Sequence, residues 1–443
     1  MSNKKTFPEV PLRRFLVHSL EIVKNPLPFH SNNFKKLGDT FKLNIGPKNH
    51  VFFSRDAKFL EYVLQKNQKN YTKSKIQTED VAKYVGKGLL TSEADHWKTQ
   101  RKLIQPAFHK KKIQGLLETI QNAILLELKN ISTDSTIDIF PIFNDLAFQV
   151  VAKSLFSSEA NPEEIKRLQH ITESAQKMLV KELRQPYLGW WFLLSGRIKK
   201  HLQETEEARE ILIEKVKQRQ SSGQRFDDLL DLLLDAKYEN GSSMEAQQLM
   251  DEILILFVAG HETTSNALTF TSQLLAKHPK WQDKIYEEAV RLNSETDDLM
   301  TIVANSKVCQ QVIEESMRLY PPAYFIDRLN YEKDIFDDVE IKPKSNLLFS
   351  VYEIHRHPDL WEQPLEFLPE RFANGGRQYS SQYFPFGAGP RKCIGNNFAM
   401  FEMILAVRQL VLDYKIKPEF DEIEITPLIT LKPKNALLKF EKR

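Results

Sequence analysis

A loop near the C-terminal end, Tyr383 to Gly395, constrains the fold of this chain more than any other stretch. Glycines and prolines crowd within it, which excludes a regular helix or a central strand, so we predict a loop of fixed shape. Apolar residues then recur at the spacing of one helix face, which predicts a long amphipathic helix: Ile394, Phe398, Phe401, Ile404, Leu405 and Val411. The loop therefore places Cys393 at the entrance of that helix.

Cys393 has the surroundings of an anionic thiol. The N–H groups and the dipole at the start of a helix favour an anion, and the thiolate is the form of cysteine that binds metals. Arg391 adds a cation beside it, and the missing side chains of Gly387, Gly389 and Gly395 would let a flat, bulky group approach the backbone. A buried structural cysteine beside a helix cap is the alternative interpretation.

The full pattern of this loop, Phe-x-x-Gly-x-Arg-x-Cys-x-Gly, is filled by Phe386, Gly389, Arg391, Cys393 and Gly395. It resembles the haem-binding loop of the cytochrome P450 family, the haem-thiolate monooxygenases. The resemblance implies that Cys393 is the axial thiolate on the iron of haem b, with Phe386 packed beside it, Gly395 in the same cofactor-binding loop, and Arg391 paired with a haem propionate. A thiolate pushes electron density onto iron and favours O–O cleavage.

A long helix is predicted from the capping box at Ser242 and Glu245 to Lys277, where a His-Pro pair ends it. Its middle, Ala259 to Thr264, contains a glycine and two threonines, which are poor helix formers. Threonine hydroxyls that bond to carbonyls one turn earlier can bend or open a helix. A tolerated local weakness is the alternative, whereas a zinc motif is excluded because His261 has no second histidine four residues away.

This segment resembles the oxygen-binding signature of the same family, Ala/Gly-Gly-x-Asp/Glu-Thr-Thr/Ser. The resemblance implies that Glu262 and Thr263 are the catalytic acid–alcohol pair that routes protons to dioxygen. It also implies that Ala259 and Gly260 leave room for the dioxygen, and that His261 points away from the haem. Heterolytic cleavage of the O–O bond requires such a relay, because protons must reach the distal oxygen in a water-poor pocket.

Three further residues are candidate ligands of the haem propionates. Trp97 and Arg101 lie four residues apart and share a helix face, although a core tryptophan crossed by an arginine stem explains this pair equally well. Their position ahead of the other motifs is similar to the propionate-binding pair of the family. The resemblance implies the same role for Arg328.

Glu315 and Arg318 stand one helical turn apart, which alone would be a surface ion pair of little energetic value. Followed by two prolines and later by Arg371, the pair is similar to the Glu-x-x-Arg motif of the family and the arginine that completes its triad. The resemblance implies a structural role, in which these residues lock the region behind the haem.

The resemblance further implies a mostly apolar substrate pocket lined by Ile255, Val258, Ala259, Tyr324 and Phe325. The aromatic stretch from Gln185 to Leu194 has the position of the flexible lid over the substrate channel of the family. Core packing is an equally good interpretation of that stretch, and a patch that touches a membrane is a third.

Composition sets the outer limits. The chain has 443 residues, of which 41% are hydrophobic, enough for a large core, and its net charge of +3 is too small to indicate nucleic acid as a partner. Two cysteines do not make a disulfide framework and favour a reducing compartment; Cys309 is predicted to pack as a small apolar residue. With no linker at which to divide the chain, we predict a single domain over residues 1–443.

The N-terminal residues lack the apolar run of a signal peptide or a membrane span. Within the family, this resembles the soluble bacterial members without a transmembrane anchor, and it predicts a cytoplasmic location.

The secondary structure is predicted to be mainly helical with a smaller β-rich part (α+β). Thr40–Ile45 and His50–Ser54 alternate around Gly46 to Asn49 and predict a β-hairpin. Ala57 to Gln68 predicts a helix, Tyr71 to Leu90 a loop with one helical turn at most, and Leu347 to Tyr352 a strand. The resemblance implies the cytochrome P450 fold, with haem between the Ala259–Thr264 segment and the Cys393 loop.

The implied function is a monooxygenase that inserts one atom of O₂ into an organic substrate, by hydroxylation or oxidative demethylation, and reduces the other atom to water. Two alternatives stay open. A peroxide-driven peroxygenase or isomerase on the same fold is disfavoured by the intact Glu262–Thr263 pair, and a non-catalytic haem-binding sensor would show no substrate-dependent use of NAD(P)H.

The chain has no nucleotide-binding Gly-x-Gly-x-x-Gly pattern and no second cysteine cluster, so no fused reductase is predicted. Electrons would come from a ferredoxin or flavodoxin with its reductase, both typically acidic. The resemblance implies docking on the cysteine side of the haem, where a set of lysines would gather: Lys98, Lys102, Lys110, Lys111, Lys112 and Lys392. A merely solvated basic surface is the alternative.

Overall fold

A computed structural model describes residues 6–46, 49–157 and 161–443 of the chain. Its α-helices are α1 Leu12–Val17, α2 Ser19–Lys24, α3 Leu27–Leu37, α4 Ala57–Glu61, α5 Ala82–Val85, α6 Ala94–Ile104, α7 Lys110–Gln114, α8 Leu117–Leu128, α9 Phe140–Phe156, α10 Pro162–Arg184, α11 Gly189–Leu194, α12 Arg197–Ser222, α13 Leu229–Asp235, α14 Ala246–Lys277, α15 Pro279–Glu295, α16 Leu299–Asn305, α17 Lys307–Leu319, α18 Val351–Ile354 and α19 Asn396–Asp413.

The strands are β1 Glu9–Val10, β2 Thr40–Gly46, β3 Asn49–Ser54, β4 Tyr71–Thr72, β5 Ile137–Asp138, β6 Phe325–Asn330, β7 Asp334–Phe336, β8 Val339–Ile341, β9 Asn346–Ser350, β10 Tyr414–Pro418, β11 Glu424–Pro427, β12 Leu431–Lys434 and β13 Leu437–Lys442. Helices dominate and the strands are short, so the predicted mainly helical α+β class is confirmed.

The backbone contacts divide the chain into two compact units. One, here called the sheet unit, consists of Met1–Ile76, Met317–Cys393 and Thr426–Lys432. The other, the helical unit, consists of Gln77–Ser316, Ile394–Ile425 and Pro433–Arg443. The single domain predicted from the sequence stays a prediction.

The sheet unit is built on a six-stranded sheet in the order β1-β2-β3-β9-β6-β4. The pairs β1–β2 and β3–β9 are parallel, and the others are antiparallel. The predicted hairpin is confirmed as β2 and β3, while Pro47 and Lys48 of its turn lie outside the described residues. The predicted strand from Leu347 to Tyr352 is wrong at its end, because Ser350 caps α18 by accepting a hydrogen bond from the Glu353 N–H.

The helix predicted from Ala57 to Gln68 begins as expected and then changes its geometry. Asp56 caps α4 by accepting from the N–H groups of Lys58 and Phe59. From Tyr62 to Lys66 the chain continues as a π-helix. The apolar side chains of both segments enter one core cluster of this unit with strand residues of β3 and β9, so burial of the apolar face is kept although the pitch changes.

The helical unit is organised around α14, which packs against α9, α12 and α19. From Thr264 to Ala276 every residue of α14 is buried. Its end at Lys277 is confirmed, but the predicted start is wrong: the helix begins at Ala246, and the Ser242 hydroxyl donates to the side chain of Asn240 instead of capping it. A small sheet, β10-β13-β5, completes the unit.

The segment from Tyr71 to Leu90, predicted as a loop, holds more regular structure than expected. It contains β4, a π-helix at Ile76–Val81 and α5. Val81, Tyr84 and Val85 are buried in an apolar cluster with α10 and α11, and this tertiary burial supports helical turns that the weak sequence period did not indicate. Over the described residues, no helix combines the length and the apolar character that a bilayer span requires.

Candidate active site

The loop that carries Cys393 is fixed by its own backbone. The N–H of Cys393 donates to the Phe386 carbonyl at 2.9 Å, and the N–H of Lys392 donates to the Gly389 carbonyl at 3.1 Å. Gly387 and Gly389 both have a φ of 68°, a left-handed conformation that favours glycine. The predicted shaped loop is therefore confirmed, and its shape depends on these two glycines.

The backbone of this loop has open space around two of its glycines and a close contact at the third. A Cβ added at Gly387 or Gly395 would meet no atom within 4 Å, whereas one added at Gly389 would collide with the Leu64 carbonyl of the π-helix. The Cys393 side chain is exposed. An exposed thiol beside open glycine backbone is what close approach of a flat metal-bearing group requires, so these residues fit haem.

Cys309, the other cysteine, has the opposite surroundings. It is fully buried in the helical unit, and burial, with the nearby Glu288 charge, raises the pKa of its thiol well above the ordinary value. A thiol that resists ionisation is a poor metal ligand. The prediction that Cys309 packs as a small apolar residue is confirmed.

Arg318 is fully buried in the sheet unit and reaches three carbonyl groups. Its guanidinium donates to the carbonyl oxygens of His355 and Pro364 at 2.7 Å each and to that of Glu366 at 2.9 Å. The same group lies 5.1 Å from the centre of the Trp361 ring. The rigid fork of an arginine suits such a site, since several donors leave one plane in fixed directions.

His355 links Arg318 to the cysteine loop. Burial and the charges of Arg318 and Arg356 lower the pKa of His355 to about 3, so the ring is neutral near pH 7. Its Nε2 accepts a hydrogen bond from the N–H of Phe384 at 2.9 Å. The Phe384 carbonyl in turn accepts from the N–H of Gly387 at 3.1 Å, within the loop itself.

The two other residues of the predicted triad are Glu315 and Arg371. Glu315 is fully buried on α17, one turn before Arg318. Arg371 donates from Nη2 to the Gln363 carbonyl at 2.9 Å, next to the Pro364 carbonyl that Arg318 binds. Both arginines therefore bind adjacent carbonyls of the same backbone segment, and their role in locking the region behind the haem stays a prediction.

The middle of α14 interrupts the otherwise buried central part of this helix. Ala259 is exposed, Gly260 and Thr263 are half-buried, and Glu262 is buried, at 7% exposure. The Thr263 hydroxyl donates to the Ala259 carbonyl at 2.8 Å, the bond to the preceding turn expected from the sequence. The helix nevertheless stays continuous through this point.

Gly260 and His261 face the interior of the helical unit. A Cβ added at Gly260 would lie 2.9 Å from Val151 on α9, so the glycine lets the two helices approach. His261 is buried, its Nδ1 lies 2.6 Å from the Phe257 carbonyl, and its ring packs edge-on against Phe148. The cofactor-binding role implied for Gly260 stays a prediction, beside this packing role.

The match with known proteins extends over almost the entire chain. The family model of cytochrome P450 matches residues 8–440. The chain belongs to the cytochrome P450 family. Members bind haem iron through a cysteine thiolate, so this P450 is a haem-thiolate monooxygenase that inserts one atom of O₂ into an organic substrate. Its reaction takes an organic substrate, O₂ and electrons from a redox partner.

Several plant proteins are similar to this P450. Cytochrome P450 CYP72A613 of Trigonella foenum-graecum is 30% identical over 81% of this chain and 72% of the relative. The 11-oxo-beta-amyrin 30-oxidase of Glycyrrhiza uralensis is 29% identical over 86% and 76%, and the cytokinin hydroxylase of Arabidopsis thaliana is 28% identical over 93% and 82%. The expected resemblance to soluble bacterial members is not supported, because these relatives come from plants.

The propionate candidates of this P450 are spread over both units. In the helical unit Trp97 and Arg101 are half-buried on α6, and the Arg101 Nε donates to the Gln105 side chain at 3.0 Å. In the sheet unit Arg328 is buried on β6 and donates to the Asp327 carbonyl at 2.7 Å, while Arg391 is half-buried in the cysteine loop. Their pairing with propionates stays a prediction.

The predicted pocket residues also belong to both units. In the helical unit Ile255 is buried in the cluster formed with α10 and α11, and Val258 packs at its edge, next to the exposed Ala259. In the sheet unit the Tyr324 hydroxyl donates to the Leu428 carbonyl at 2.7 Å, and Phe325 is half-buried. The Tyr324 hydroxyl thus has a protein acceptor, and its buried ring packs against Phe325 with the ring centres 4.8 Å apart.

The aromatic stretch continues from a 3-10 turn at Pro186–Leu188 into α11. Phe192 is buried, which confirms core packing for that residue. Trp190, Trp191, Leu193 and Leu194 are exposed by between 46% and 77%, so core packing is wrong for them. The lid and the membrane-touching patch stay open as interpretations of this exposed apolar surface.

Sequence reasoning missed a buried ionic cluster that ties a loop to α14. Asp251 accepts from the N–H of Lys87 at 2.7 Å and pairs with Arg209 of α12. Glu252 accepts from the N–H of Leu89 at 3.0 Å, and a Cβ added at Gly88 would lie 2.6 Å from it. Two adjacent acids in an apolar helix, together with a glycine-rich loop, were the signal in the sequence that could have found it.

Proposed function

We propose that Cys393 holds the haem iron of this P450, that Glu262 and Thr263 deliver protons to the reaction, and that the product is a hydroxylated apolar molecule. The observation that supports this most is the exposed Cys393 thiol on a loop fixed at both Gly387 and Gly389. When bound, haem supplies the activation of dioxygen. The chain supplies the ligand, the proton path and the walls of the pocket.

The proposed proton path uses two adjacent residues with different exposure. The half-buried Thr263 hydroxyl is accessible beside the exposed Ala259, and the Glu262 carboxylate is largely withdrawn from water. A hydroxyl can donate a proton and accept another, so Thr263 can pass protons without a net change in its own charge. Glu262 then serves as the acid that returns a proton to the Thr263 hydroxyl.

The substrate class is proposed as apolar. The relatives named above are called an 11-oxo-beta-amyrin oxidase and a cytokinin hydroxylase, and their names indicate oxidation of different organic molecules. The apolar side chains of Val258 and Ala259 are accessible in the helical unit, which supports an apolar substrate rather than a charged one. A screen of fatty acids, terpenoids and methoxylated molecules for the low-spin to high-spin absorbance change tests this proposal.

Thr263→Ala is expected to uncouple the reaction. The variant should consume O₂ and reductant while the ratio of product to reductant falls by roughly tenfold or more and hydrogen peroxide appears, because proton delivery is lost. Thr263→Ser should restore most of the ratio. Thr269 makes the same type of bond, to the Ser265 carbonyl at 2.7 Å, in the fully buried part of α14, so Thr269→Ala is the matched control and should stay coupled. An unchanged ratio in Thr263→Ala would rule out the proposed path.

For the electron donor we propose an acidic protein of the ferredoxin or flavodoxin type. Lys98 and Lys102 each pair with an acidic neighbour, Asp95 and Glu239. Lys110, Lys111 and Lys112 at the start of α7 are exposed, and no salt bridge to them occurs among the described residues. Lys392, in the sheet unit, is exposed as well. The local positive charge of α7 supports electrostatic steering of an acidic partner.

Reversal of two of these charges tests the donor proposal. In Lys110→Glu/Lys111→Glu the apparent donor KM should rise by about tenfold at low salt and lose most of its dependence on ionic strength, with the substrate-induced spin change intact. The control is Lys199→Glu/Lys200→Glu, a pair of adjacent exposed lysines on α12. Equal effects of both double variants, or no effect of either, would place the docking surface elsewhere.

The cytoplasmic location stays a prediction, and cell fractionation with an antibody to the native chain tests it.

The peroxygenase alternative is tested by the product assay used for the Thr263 variants, since product formation driven by peroxide without an electron donor would favour it.

A further inference from the structure

A hydrogen-bond cluster outside the sequence motifs centres on Asp334, the first residue of β7 in the sheet unit. Its carboxylate accepts from the hydroxyls of Tyr62 and Tyr71, at 3.0 and 2.6 Å, and from the side-chain amide of Asn67 at 2.9 Å. The N–H of Ile335 adds a further bond at 2.9 Å. Bonds to a charged acceptor are short and strong, and together they fix the directions of all the donors.

Two of these donors stand at the ends of the π-helix. Tyr62 is its first residue and Asn67 follows its last, and the N–H of Asn67 donates to the Tyr62 carbonyl at 2.8 Å. The Asn67 amide also donates to the Tyr62 hydroxyl at 2.9 Å. π-Helical turns are rare and are frequently found at functional sites. Asp334 therefore holds this turn at both of its ends.

The π-helix supports the cysteine loop by direct contact of backbones. Leu64, in its middle, presents a carbonyl to Gly389 so closely that any side chain at Gly389 would collide with it. Gly389 is the first residue of the short turn Gly389–Arg391, and the Gly389 carbonyl accepts a hydrogen bond from the N–H of Lys392. A shift of the Leu64 carbonyl would consequently displace the Gly389 backbone, and with it Lys392, which precedes Cys393. No flexible side chain lies between the two backbones to accommodate the shift.

We propose that Asp334 is a positioning residue for the Cys393 ligand. By fixing both ends of the π-helix, it sets the place of the Leu64 carbonyl, and this carbonyl sets the Gly389 turn and the Cys393 sulfur. The proposal rests on Cys393 as the haem ligand. It assigns to Asp334 an influence on the iron through the loop alone.

Asp334→Asn tests the proposal, because the amide keeps the shape of the carboxylate but turns one acceptor into a donor that faces other donors. Hydrogen exchange of the Lys392 and Cys393 amides should accelerate by about tenfold, the effect of losing one hydrogen bond to a charged group. Exchange in β2 and β3 should stay near the wild-type rate. The reduced carbonyl complex should show a larger share of the band of a protonated thiol ligand.

A matched control lies in the turn between β7 and β8, two strands that pair antiparallel. Asp338 is exposed and has a φ of 63°, a conformation that asparagine also tolerates. Asp338→Asn makes the same chemical change two residues beyond β7 and should alter neither measurement. Tyr71→Phe removes one donor to Asp334 and keeps the ring, so it should reproduce both effects in a weaker form.

Acceleration of exchange to the same extent in the loop and in β2–β3, with an unchanged carbonyl band, would show that Asp334 serves general stability and would overturn the proposal. Unchanged hydrogen exchange of the Lys392 and Cys393 amides would overturn the proposal as well. If Asp334→Asn does not fold, Tyr71→Phe decides by the same two readings. If wild-type protein lacks the thiolate band, the ligand assignment of Cys393 fails, and the exchange data still decide whether Asp334 controls the loop.

Discussion

Cys393→His is expected to abolish the red-shifted Soret band of the reduced carbonyl complex while part of the haem is retained. The neutral imidazole donates much less electron density to iron than a thiolate does, and histidine-ligated haem favours other chemistry. Product formation should fall below about one hundredth of the wild-type rate, because the push that assists O–O cleavage is gone. The difference spectrum of the reduced protein with carbon monoxide measures the ligand directly.

Cys309→Ala is the matched control for this prediction. Cys309 is buried, and the pKa of its thiol is raised by burial, so its removal takes away no thiolate. The band and the activity should both survive in this variant. A red-shifted band that persisted in Cys393→His and disappeared in Cys309→Ala would reverse the assignment of the two cysteines.

The sequence was most informative where local chemistry decides the structure. The loop around Cys393 was predictable because glycines at Gly387 and Gly389 are needed for left-handed backbone, and they are found in that conformation. The hairpin of β2 and β3 followed from the alternation of apolar residues, and the end of α14 at Lys277 followed from the proline after it.

The sequence was least informative where distant residues decide. The π-helix at Tyr62–Lys66 has the composition of an ordinary helix, and its pitch is supported by Asp334, some 270 residues later in the chain. The start of α14 was predicted too early because Ser242 has an alternative acceptor in Asn240, which a capping pattern does not reveal. The turns between Tyr71 and Leu90 depend on burial against α10 in the same way.

In the candidate site, too, local motifs were readable from the sequence and contacts between distant residues were not. Family motifs located Cys393, Thr263 and Arg318, yet no motif indicated that His355 carries the effect of Arg318 to Phe384. A buried histidine in a sequence has many possible partners. Its neutral state depends on burial and on two nearby arginines, and neither can be read from the order of residues.

Arg318→Ala is expected to prevent formation of stable holoprotein. The substitution would leave three carbonyls, the buried one of His355 and the part-buried ones of Pro364 and Glu366, without the guanidinium that now binds them. Hydrogen bonds to a charged donor contribute roughly 1.5–3 kcal/mol each, so the loss of all three bonds costs several kcal/mol. That is a large part of the total stability of about 5–15 kcal/mol typical of a folded protein.

The loss should appear first at the haem ligand, since His355 is the link from Arg318 to the N–H of Phe384 and so to the cysteine loop. Haem content per folded chain and the midpoint of urea unfolding measure the two effects separately. Arg318→Lys should recover little, because a single ammonium cannot reach three carbonyls in fixed directions. Arg291→Ala removes an exposed arginine that pairs with Glu295 at 2.8 Å, and it should change stability by less than about 0.5 kcal/mol. Normal haem content and stability in Arg318→Ala would contradict the role of this arginine as the brace behind the cysteine loop.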